Sequence, residues 1–177
     1  MNRELMLQKR IRFLTTTLIL GLVISGATAI PLESEVKLLA GLTGASAEVA
    51  GRSGSPLTDW VARVREGLHE TNARFPFMAY GTDWLAFAHF VIAIAFIGAW
   101  RDPVRNLWLF DFGLIACVLV IPHALLFGWV RGIPAGWRLI DCSFGVLGAI
   151  PLWFCRRYAR EMSMNGDAPR ARPGGDR

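Results

Sequence analysis

Polar and apolar positions along this chain fall into blocks rather than alternating residue by residue. Four long apolar stretches, 13–30, 84–100, 107–130 and 139–155, are separated by segments that hold most of the charge. A helix needs about 20 apolar residues to cross a bilayer, with a range of about 17–25. Each stretch therefore predicts a spanning helix. Between the first two, residues 31–83 are too polar to span. Within that segment Leu32, Val36 and Leu39, with Glu33 and Lys37 four apart, predict a short amphipathic helix over 32–42. Gly41–Ser55 is rich in Gly, Ser and Ala and reads as a linker. Ser55-Pro56 then opens a second amphipathic helix, with Leu57, Trp60, Val61, Val64 and Leu68 on one stripe. Such a helix either lies on the outer leaflet or caps the bundle. The expected fold is all-α: an integral membrane four-helix bundle with an outer amphipathic helical segment, in a single membrane domain.

Local signals refine the boundaries. Asp102-Pro103 supplies an N-cap and a proline for the first helical position, which starts the third spanning helix close to Val104. Pro122 interrupts that helix beside His123 and frees the carbonyl of Val118. Ala95 and Ala99, and Gly145 and Ala149, are small residues four apart that allow close helix approach. Met162–Arg177 has almost nothing to bury and is expected to be disordered.

Composition agrees with the blocks. The 177 residues are 53% hydrophobic, and the mean hydropathy is +0.38, which is high for a soluble domain of this length. The net charge of +5 does not point to nucleic acid. The basic residues cluster at the ends of apolar runs, in 1–12, 101–105 and 156–160. Basic loops of this kind hold spanning helices with that side in the cytoplasm. Both termini are then cytoplasmic, 31–83 lies outside, and a bacterial inner (plasma) membrane is the expected location. Ala27-Thr28-Ala29 resembles a signal-peptidase site, but Pro31 follows almost at once and the apolar run is long, so an uncleaved anchor is favoured. Cys117, Cys142 and Cys155 lie in apolar runs without metal-ligand spacing and read as small buried hydrophobes.

The candidate chemistry is a set of ionisable groups expected at one depth near the outer face: Asp83, His89, His123, Arg131, Arg138 and Asp141. His89 is about 9 Å in from Asp83, and His123 about 12 Å in from Arg131. Ionisable groups within a membrane are costly and usually face the bundle or an aqueous cavity. The set is therefore a candidate site for an anionic or lipid-linked headgroup, or for a partner protein. A purely structural alternative pairs Asp141 with Arg138 or Arg131. Asp111, toward the cytoplasmic side, is expected to pair near Arg101 and Arg105. No cofactor is the primary expectation. The alternative is haem b held by His89 and His123, or a quinone-linked electron carrier. A further alternative is an accessory subunit of a membrane complex. No nucleophile–base–orienter set is visible, so no enzymatic mechanism suggests itself.

The last apolar stretch carries one further pattern. Arg138, Asp141 and Gly148 resemble the final helix of the VanZ-like family of small bacterial membrane proteins, with Gly145 at that family's Asn position. Asp83 and His89 echo its earlier Asp-Lys…His pattern at longer spacing, with Trp84 in place of the Lys. The family's acidic residue and Gln on the third helix have no counterpart around Pro122-His123. The resemblance covers about 75 residues and implies a four-helix protein of the cell envelope, without a defined reaction.

Overall fold

The computed structural model describes residues 3–45 and 55–166. Six helices account for nearly all of them: α1 Arg3–Ala29, α2 Leu32–Thr43, α3 Pro56–Arg74, α4 Tyr80–Arg101, α5 Leu107–Val130 and α6 Ala135–Gly166. A short 3-10 turn, Pro76–Ala79, leads from α3 into α4. Among the described residues there is no strand, so the chain is all-α as expected. The helices α1, α4, α5 and α6 are long and apolar enough to cross a membrane, and the four predicted spans coincide with them, the first helix ending at Ala29 rather than at residue 30.

The bundle is held together by a particular packing order. Helix α1 lies between α4 and α6, and α5 packs on α6, whereas α4 and α5 touch only sparsely. The core therefore runs through α1: Ile11, Phe96, Ala99, Phe110, Leu152, Cys155 and Ala159 form one buried cluster. Small residues set the approach distances. Gly26 of α1 faces the carbonyl of Ala86 and the side chains of His89 and Phe90 on α4. Gly145 of α6 lies against the carbonyl of Cys117 on α5, and Gly148 lies against its Sγ. Of the small residues expected to mediate packing, Ala99 and Gly145 are buried and Ala149 is half-buried, while Ala95 is exposed. Ala86, Ala93 and Ala99 are the buried alanines of α4.

The two ends of the bundle differ. One gathers the start of α1, the α4–α5 connection and the end of α6, and is dense in arginine. Arg3 pairs with Glu161 at 2.7 Å. Arg10 lies over Tyr158, and Arg12 over Trp100 at 4.9 Å. The other end carries the α2–α3 hairpin, whose small core of Ala40, Ala45, Val61 and Ala62 is joined by Leu39 and by Trp137 of α6. The hairpin thus touches the bundle through Trp137. Aromatic residues mark both ends. Trp84 and Trp100 on α4 and Trp137 and Trp153 on α6 are each 16 residues apart, or about 24 Å along a helix. Trp108 and Trp129 on α5 are about 32 Å apart by the same rise. The α5 pair is far enough apart to bracket about 30 Å of hydrocarbon with interfacial tryptophans, and the α4 and α6 pairs fall short of that span.

Three local expectations are corrected. Helix α5 begins at Leu107, not near Val104, because Asp102 is used as the C-cap of α4. Asp102 Oδ1 still accepts the N–H of Arg105 at 3.0 Å, but the chain from Pro103 to Asn106 is a turn. Asn106 Nδ2 donates to the carbonyls of Gly98 and Asp102, a second donor to each beside the backbone N–H groups of Asp102 and Asn106. Asp111 pairs with Arg156 of α6 rather than with Arg101 or Arg105. Residues 162–166, expected to be disordered, continue α6; the rest of that tail and most of the expected linker, 46–54, lie outside the described residues.

Candidate functional site

The connection between α5 and α6 is built tightly. Gly132 takes φ +69°. Its N–H donates to the carbonyl of Trp129, and that of Ile133 to the carbonyl of Gly128. This paired return is a Schellman motif, which needs glycine at the left-handed position. It leaves Arg131 as the C-cap of α5, exposed, where a cation complements the helix dipole. One turn into α6, Arg138 folds its stem across Gly128; a Cβ there would lie 2.5 Å from Arg138 Cγ and Cδ. Gly128 is therefore glycine because an arginine stem crosses α5 at that point. Arg138 Nε is buried and finds no acceptor among the described residues. Arg12 Nε is also buried without an acceptor, although its guanidinium lies over the Trp100 ring.

Among the described residues no hydrogen bond or ion pair joins the other candidate residues to one another. Asp83 is exposed among Tyr80, Trp84 and Phe87. His89 Nδ1–H donates to the carbonyl of Leu85 at 2.7 Å, and its Cβ lies on the α1 side of α4, opposite Gly26. His123 is exposed and stacks on Phe127 of its own helix, with ring centroids 4.7 Å apart. The two histidines belong to helices that meet only sparsely, and no ring contact or hydrogen bond joins them among the described residues. Asp141 is half-buried and forms no salt bridge with Arg138 or Arg131 among the described residues. The ion pair of the structural alternative is thus absent among the described residues. Among the described residues no group of three or more His, Cys, Asp or Glu side chains is arranged to hold a metal ion.

A polar cluster that the sequence did not single out ties the hairpin together. Glu33 of α2 accepts from Asn72 Nδ2 at 2.7 Å and pairs with His69 Nδ1 at 3.1 Å, both on α3. These hydrogen bonds hold the Glu33 carboxyl below its ordinary value of 4.5, the bond from Asn72 having the larger effect. His69 is a partner in this link, though its side chain is largely exposed. On the adjoining face, Leu32, Val36, Leu39, Trp60, Val64 and Trp137 line an apolar cleft of about 370 Å³. Its wall at Trp137 is the residue before Arg138. Compared with protein-family models, with curated proteins and with solved structures, the chain finds no match.

Proposed function

We propose that this chain is a non-enzymatic, multi-pass protein of the bacterial inner membrane. Both termini are cytoplasmic, and the hairpin end binds an anionic or lipid-linked headgroup through Arg138, with Arg131 beside it. The membrane setting is supported by four helices of spanning length and by the tryptophans at their ends. The orientation is supported by Arg3, Lys9, Arg10, Arg12, Arg101, Arg105, Arg156, Arg157 and Arg160 at the end away from the hairpin. The hairpin side mixes Lys37, Arg63 and Arg65 with Glu33, Glu35, Glu66 and Glu70.

The observation that carries the binding reading is Arg138. Its stem is held against Gly128 and its Nε–H has no acceptor among the described residues. A buried donor left unmatched is costly, more so when charged, and a phosphate or carboxylate satisfies a guanidinium with short, charge-assisted bonds. The apolar cleft beside Trp137 suits the chain of a lipid-linked ligand. Mass spectrometry of the full chain, purified in mild detergent, tests the reading. An anionic lipid should be retained by the unaltered protein and lost in Arg138→Gln. Gly128→Ala, which displaces the arginine stem, should weaken retention without removing the charge. If the unaltered protein and Arg138→Gln carry the same anionic lipids in the same amounts, the reading fails.

A further inference from the structure

At the opposite, arginine-rich end, α6 carries an open groove of about 340 Å³, lined by Trp153, Arg156, Arg157, Arg160, Glu161 and Met164. The charges around it are already sorted. Arg156 is engaged by Asp111 of α5, and Glu161 by Arg3 of α1. The acidic member of the groove is thus neutralised from outside. Two guanidinium groups remain without a carboxylate among the described residues. Arg157 lies over the Trp153 ring, 5.6 Å from its centroid, a contact that fixes the arginine while leaving its N–H groups available. Arg160, three residues on and therefore on the same side of the helix, is exposed.

We propose that this groove binds the phosphate of an anionic phospholipid, with Arg157 and Arg160 as the recognition pair. Trp153 belongs to the aromatic layer at this end and remains half exposed, so it forms an apolar floor below the arginines. A phospholipid has that vertical order: phosphate in the headgroup layer, acyl chain beneath. A soluble anion has no use for the floor. The site is separate from the one at Arg138, at the other end of α6.

The test uses the full chain in detergent with phosphatidylglycerol or phosphatidylcholine of identical acyl chains, read by native mass spectrometry. Phosphatidylglycerol should bind more tightly than phosphatidylcholine, and the preference should shrink as salt is raised. Each arginine removed should weaken phosphatidylglycerol binding about five-fold, so Arg157→Gln with Arg160→Gln should weaken it about twenty-five-fold. Arg138→Gln at the other end should leave this binding in place, which separates it from the proposed function. Should the double variant misfold, the exposed single change Arg160→Glu carries the same test, with a larger loss expected. Equal binding of the two lipids, or unchanged phosphatidylglycerol binding in the folded variants, overturns the proposal. So does competition by glycerol phosphate at the concentration at which phosphatidylglycerol binds, which would mark a soluble-anion site.

Discussion

Single residues separate two kinds of ionisable group in this bundle. Asp111 has a direct partner in Arg156, across the α5–α6 contact, whereas Asp141 has no salt-bridge partner among the described residues. Asp111→Asn should therefore lower the melting temperature in detergent, by about 1–2 kcal/mol in stability, because it leaves Arg156 uncompensated at a half-buried position. The double change Asp111→Asn with Arg156→Gln should recover part of the loss, which a double-mutant cycle measures. Asp141→Asn should leave melting unchanged, since no pair is broken. The glycines divide in the same way. A Cβ on Gly145 would meet the Cys117 carbonyl at 2.5 Å, and a backbone oxygen cannot swing aside. Gly145→Ala is expected to cost about 1–3 kcal/mol through overpacking. Gly136→Ala, with nothing within 4 Å, should cost nothing measurable. Thermal unfolding of the two variants side by side checks the contrast. Gly145 was legible in the sequence as a small residue spaced for close approach. The role of Gly128 was not, because only the fold brings the stem of Arg138 across it.

Among the elements, α2 and α3 were readable from periodicity, and their junction with the bundle was not. The stripe Trp60, Val61 and Val64 predicts an apolar face but not what covers it; the cover is α2 and the single tryptophan Trp137. The start of α5 at Leu107 departs from the sequence expectation for a related reason. Asp102-Pro103 suits a helix start, yet the same aspartate also ends α4, and the side chain of Asn106 adds a second donor to the carbonyl of Gly98. The hairpin should also respond to pH through Glu33. Its carboxyl is held below 4.5 by Asn72 and His69. A lowered folded-state value means that the stabilisation is present above 4.5, the unfolded-state value, and is lost as pH falls through the folded one. Hydrogen exchange of the α2 and α3 amides should accelerate as pH falls below 4.5 by more than the intrinsic chemical rate predicts. In Glu33→Gln that excess should vanish. An excess that persists in Glu33→Gln would assign the effect to another group.

For the whole molecule, four apolar blocks gave four spanning-length helices, but block order says nothing about neighbours. Consecutive helices α4 and α5 meet sparsely, while α1 is the shared partner of α4 and α6. Equal depth on consecutive helices brings groups such as His89 and His123 into contact only where those helices pack, and no ring contact or hydrogen bond joins the two among the described residues. The central place of α1 bears on its fate. Ile11 and Thr15 are almost wholly buried, and Thr15 Oγ1 lies 3.7 Å from Cys155 Sγ on α6. Cleavage after Ala29 would strip this contact from the core and expose Phe96 and Cys155. The arrangement predicts a cross-link. With Cys117→Ala and Cys142→Ala, Thr15→Cys should oxidise to a disulfide between position 15 and Cys155, and a protease site inserted between Ala45 and Ser55 makes the bond visible. The cut chain should stay whole under oxidising conditions and part into two fragments on reduction. Placing the new cysteine at Phe13 instead, on the exposed face of the same helix, should give no such link. Two fragments in both redox states for Thr15→Cys would remove α1 from the centre of the bundle, and with it the argument that the first apolar stretch stays in place as an anchor.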